Sequence, residues 1–79
     1  MKNKETIIRE TMRLNIIAKR NELKMTQTDL ANAVGLKKNT VGSWEQGLSS
    51  PDIDTIAKLL QLFNMDFYDF TGIERELNR

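Results

Sequence analysis

Seventy-nine residues allow one small domain, and the absence of Cys and His removes disulfides, the usual zinc ligands and imidazole acid–base chemistry. No apolar run approaches the ~20 residues of a membrane span, and residues 1–10 mix charges with few apolar side chains, which predicts a soluble cytoplasmic protein without signal peptide, metal or cofactor. The net charge of +1 hides a split: residues 1–48 balance at +4 and residues 49–79 at −3, as expected of a chain that turns one face to a polyanion or of ordinary solubilising charge.

Residues 1–5 are polar, and Lys2 and Lys4 form either a frayed end or a short basic arm. Residues 6–23 contain no Gly or Pro and favour helix, with Met12, Ile16 and Leu23 sharing a face with Arg20. Ile7 and Ile8 either extend this helix or mark a contact with a second subunit. Lys24 and Met25 end it, with Met25 a candidate core plug. Thr26 can then cap a second helix, and Asp29 three residues on completes an approximate capping box. Leu30, Ala31 and Val34 form that helix's apolar stripe. Gly35 follows at once and tolerates the positive φ that turns the chain, while Leu36 plugs the corner.

A third helix is expected over residues 38–46, with Val41 and Trp44 on one face and Lys38, Asn39 and Ser43 turned away. The spacing assigns Trp44 to the core rather than to base stacking. Gly42 is costly in a helix by ~1 kcal/mol against Ala, and either permits a close approach or is simply tolerated. Gly47 ends the helix, and a loop runs to Pro51. Asp52 caps a fourth helix whose stripe is Ile53, Ile56, Ala57, Leu60 and Phe63, widened by Leu59 and Leu62. Asn64 suits a left-handed helix end, and Asp66 caps a short fifth helix with Phe67 and Phe70 sealing the core. Tyr68 is expected to be more exposed, and with Ile73 and Leu77 it would form either a small dimer contact or part of a loose tail.

Two short helices joined at a glycine corner, the second with a polar outer face, fit a helix-turn-helix that can enter a DNA major groove. The stretch from Thr26-Gln27 through Leu30-Ala31 and Gly35-Leu36 to Trp44-Glu45-Gln46-Gly47 resembles the lambda-repressor-like, Cro/CI-type (XRE) helix-turn-helix family over residues 16–70. The resemblance implies an all-α, five-helix domain over residues 12–71, with residues 1–11 as arm or helix extension and 72–79 as tail. It implies base contacts from Lys38, Asn39 and Ser43, and phosphate contacts from Gln27, Lys37, Thr40, Gln46, Ser49 and Ser50. It also implies an ion pair between Arg20 and Glu45 that locks the third helix. Three positions depart from the family pattern. Lys24 stands where Gly is common, Lys37 where a Ser or Thr cap is usual, and Leu48 where a basic residue is frequent.

The function this resemblance implies is sequence-specific binding of double-stranded DNA as a transcriptional regulator, expected to be a repressor, that places the third helix in the major groove and acts as a homodimer on a pseudo-palindromic operator. Phage repressors, restriction–modification controllers and antitoxins share this size and pattern. A protein-interaction module that keeps the fold but binds a protein partner is the alternative. No nucleophile–base pair or phosphate-cradling loop supports an enzyme. The acidic residues Asp52, Asp54, Asp66 and Asp69 read as caps and solvated positions rather than as a metal cluster.

Overall fold

The structure is a computed structural model that describes residues 4–74, with side chains from residue 7 onward. Five helices follow in order: α1 Lys4–Glu22, α2 Gln27–Ala33, α3 Lys38–Glu45, α4 Ile53–Phe63 and α5 Phe67–Thr71. No strand occurs among the described residues. Lys2 and Leu77 lie outside them, as does the side chain of Lys4.

The helix ends are set by one repeated device. After α1, α2, α3 and α4 a residue with positive φ (Lys24, Gly35, Gly47 and Asn64) reverses the chain. At each end the following residue's N–H reaches back to a carbonyl five residues earlier: Met25 to Arg20, Leu36 to Ala31, Leu48 to Ser43 and Met65 to Leu60. The left-handed residue itself bonds the carbonyl three before it, as in Gly35 to Asn32. This is the Schellman pattern, which satisfies carbonyls that the helix end would orphan. Lys24 adopts a φ of 58° without being glycine, so the turn forms despite the side chain.

The same device places an apolar residue just beyond each helix. Met25, Leu36 and Met65 pack against the core. Leu48 does not: it is 71% exposed, in the loop between α3 and α4.

The core joins Met12 and Ile16 of α1, Leu30, Ala31 and Val34 of the second helix and its end, Val41 and Trp44 of α3, Ile56, Leu59 and Phe63 of α4, and Phe70 of α5. Ala31 is 1% exposed, and its small side chain lets α2 and α3 approach closely. On α4 the buried line is Thr55, Ile56, Leu59 and Phe63. This corrects the expected stripe: Ile53 and Ala57 are exposed and Leu59 takes the centre. Ile53 is the first residue of its helix, where the chain is only entering the core. Leu23 is likewise exposed rather than on the buried face, because it lies past the last residue of α1.

Polar bonds fasten α5 to α1. Asn15 Nδ2 donates to the carbonyls of Asp69 and Phe70, at 3.3 and 3.0 Å. These carbonyls lie at the end of a five-residue helix that has no partner for them within its own turns. The result is a scaffold in which α1 lies against both α3 and α5, and α2 against α3.

Candidate nucleic-acid interface

The start of α2 is closed by its own side chains. Thr26 Oγ1 accepts from the Asp29 N–H at 3.0 Å, and Asp29 Oδ2 accepts from the Thr26 N–H at 2.9 Å. The Thr26 backbone N–H, and then its hydroxyl, hold the Asp29 carboxyl below its usual range. The start of α3 is built differently. Lys37 occupies the cap position with extended backbone and makes no side-chain capping bond. Lys38 follows, so two exposed Lys residues stand at the positive end of a helix dipole whose first N–H groups have no side-chain acceptor. An anion placed there would gain from both.

Lys37, Lys38 and Asn39 are exposed, Thr40 and Ser43 are half-buried, and Val41 and Trp44 are buried on the opposite face. The third helix therefore presents Lys38 and Asn39 outward from a face fixed in the core. Ser43 Oγ is 2.7 Å from Ser49 Oγ, so the helix surface is tied to the loop that follows. Gly42 has room for more: a Cβ there would lie 3.6 Å from Gln27 Oε1, an ordinary contact.

The far end of α3 is braced. Arg20 meets Glu45 with two bonds, Nε to Oε2 at 2.7 Å and Nη2 to Oε1 at 3.0 Å. The side chains are only 15% and 9% exposed. Arg20 Nη1 also donates to the Met25 carbonyl, and Gln27 Nε2 donates to Glu45 Oε1 at 3.0 Å. One carboxylate thus joins α1, the start of α2 and the end of α3. Burial alone would push the Glu45 carboxyl up, but the bonds from Arg20 and Gln27 outweigh it and hold the carboxyl below its usual range. The Glu45 bond correspondingly raises Arg20.

The geometry brings Gln27 to the brace and Ser43 to Ser49. It leaves Lys37, Lys38 and Asn39 together at the open start of α3, with Gln46, Ser49 and Ser50 in the loop beyond its end. Two further residues reach this surface. Arg13 Nη1 donates to the Glu45 carbonyl at 3.3 Å, and Arg9 Nε donates to Ser50 Oγ at 3.1 Å. The sequence shows that they share a helix stripe, but not which element that stripe faces. Arg9, Arg13 and Arg20 fall four and seven apart, which is one stripe of a helix.

The family model for the XRE-type helix-turn-helix (HTH_3) matches residues 16–70. The chain belongs to this family. The family is one of DNA-binding helix-turn-helix regulators, and the described residues have the five-helix, all-α architecture that the resemblance implied. Among its relatives is the antitoxin PezA of Streptococcus pneumoniae, 33% identical over 64 residues, which are 81% of this chain and 40% of that protein. Another is the cryptic phage CTXphi transcriptional repressor RstR of Vibrio cholerae, 35% identical over 46 residues, covering 58% of this chain and 41% of that one. The chain therefore spans less than half the length of the curated relatives it matches. No solved structure gives a significant match. No described helix is long and apolar enough to cross a membrane.

Proposed function

We propose that the protein is a sequence-specific repressor in the cytoplasm that sets α3 in the major groove of double-stranded DNA as a homodimer on a pseudo-palindromic operator. The observation that carries the reading is the start of α3, where Lys37 leaves the helix uncapped beside Lys38 and Asn39. A helix start without a cap costs stability, and a DNA phosphate supplies the missing acceptor. Beyond it, Lys38 would donate to guanine O6 and N7 and Asn39 would pair with adenine N6 and N7, each discriminating by ~1–3 kcal/mol. Ser43 is the third base contact, held by its bond to Ser49. Gln27, Thr40, Gln46, Ser49 and Ser50 flank these residues and would bond backbone phosphates, which position the protein without reading sequence. A single module of this size buries too little surface for tight specific binding, which favours a dimer.

A second reading follows from one relative, which is named an antitoxin. On that reading the chain also binds a protein partner. Selection of bound duplexes from a random pool at two salt concentrations separates the two. The repressor reading predicts a two-fold symmetric motif that survives the higher salt. Weak binding that vanishes with salt and selects no motif would leave counterion release alone and favour the protein partner.

A further inference from the structure

The loop from Gln46 to Pro51 reads QGLSSP and contains no Lys or Arg. Its central residue, Leu48, is apolar and 71% exposed. A loop that tracks a phosphate backbone gains its grip from positive charge, and this one carries none of its own. The charge stands across from it on α1. Arg9 and Arg13 line a cleft of about 190 Å³ between α1 and the loop, together with Glu10, Ser49 and Ser50. Arg9 is exposed and uses Nε on Ser50 Oγ, which fixes the plane of its guanidinium and leaves the two terminal nitrogens directed elsewhere. Arg13 is less free: it bonds the Glu45 carbonyl and lies 3.8 Å from Glu10. The bonds Ser43–Ser49 and Arg9–Ser50 tie α3 to the loop and the loop to α1.

We infer that this cleft is a second phosphate site, in which Arg9, steadied by Ser50, contacts a DNA backbone phosphate beside the groove that α3 enters, and so replaces the positive charge missing at Leu48. Arg13 is a positioning residue: it holds the end of α3 and the wall of the cleft. The inference rests on the DNA-binding reading of α3, but it assigns a residue outside the helix-turn-helix. Residue 9 lies before the segment that matches the family.

The test measures affinity for a random-sequence duplex of about two helical turns across a salt series. Each phosphate contact contributes about 0.9 to the slope of log K against log salt. Arg9→Ala should flatten that slope by about one and weaken binding roughly fivefold near 0.15 M salt. Arg9→Lys keeps the charge and should restore most of the slope. The melting temperature of both variants should match wild type, because Arg9 is exposed. A wild-type slope in Arg9→Ala, with wild-type binding intact, overturns the second site and leaves the DNA-binding reading standing. Loss of slope in Arg9→Lys equal to that in Arg9→Ala also counts against it, since a phosphate contact tolerates either cation. If the wild-type chain shows no salt-dependent binding at all, both readings fall together.

Discussion

The helix-turn-helix contains two helix starts eleven residues apart that solve one physical problem in opposite ways. At α2 the backbone donors are satisfied within the chain by Thr26 and Asp29. At α3 the cap position is Lys37, which has no acceptor to offer and adds like charge to the positive end of the dipole. The first start serves folding. The second is left open to solvent, where an anion from outside the chain would bind favourably. A small domain can carry one such defect if the helix is fixed elsewhere, and here it is fixed at its other end by the Arg20–Glu45–Gln27 brace.

The largest effect should come from removing that fixation. Arg20→Ala strands a nearly buried carboxylate and frees the Met25 carbonyl, and should cost about 3 kcal/mol. In a domain of this size that lowers the melting temperature by more than 10 °C, at ~4–8 °C per kcal/mol. A melting temperature within a degree or two of wild type would show that the brace is not what holds α3. Acid should test the same brace without mutation. The folded Glu45 has its carboxyl lowered from the ordinary 4.5, so its contribution is fully present above that value. It is lost as pH falls through the lower folded value. Stability at neutral pH should therefore be flat in this respect and should fall in acid, and Glu45→Gln should remove part of the acid dependence in a pH series of denaturant melts.

Thr26→Ala breaks the closed start and should cost ~1 kcal/mol of stability. Its affinity for DNA, measured well below the melting temperature, should change little. Lys37→Ser makes the open start resemble the closed one. It should stabilise the free protein by ~0.5–1 kcal/mol while flattening the salt dependence of DNA binding by about one contact. Opposite signs for stability and affinity in this one variant are the signature of a start kept open for a ligand. If both rise together, Lys37 is merely a poor cap.

Much of this was legible in the residues because it depends on local chemistry. The caps at Thr26, Asp52 and Asp66 each need only an acceptor and an N–H three residues on, and all three form. The glycine corner at Gly35 and the left-handed Asn64 follow from backbone sterics. What depended on how helices rotate against one another was harder to read. The α4 sequence is apolar at seven of its eleven positions, so several stripes fit it, and only packing against the other helices chose Leu59 over Ala57. At the candidate interface the helix-turn-helix residues could be placed by position within the motif. Arg9 and Arg13 could not, because their role depends on α1 crossing beside a loop some forty residues away in sequence, a proximity no local pattern encodes.

The central claim is that the outer face of α3 reads bases. Its most direct test is the base preference of Asn39→Ala beside wild type, measured by selection from the same random duplex pool. A base-reading α3 predicts that one position in each half-site loses its preference, the change expected when a contact worth ~1–3 kcal/mol is removed, while the remaining positions and nonspecific affinity are kept. An unchanged profile at every position would contradict it.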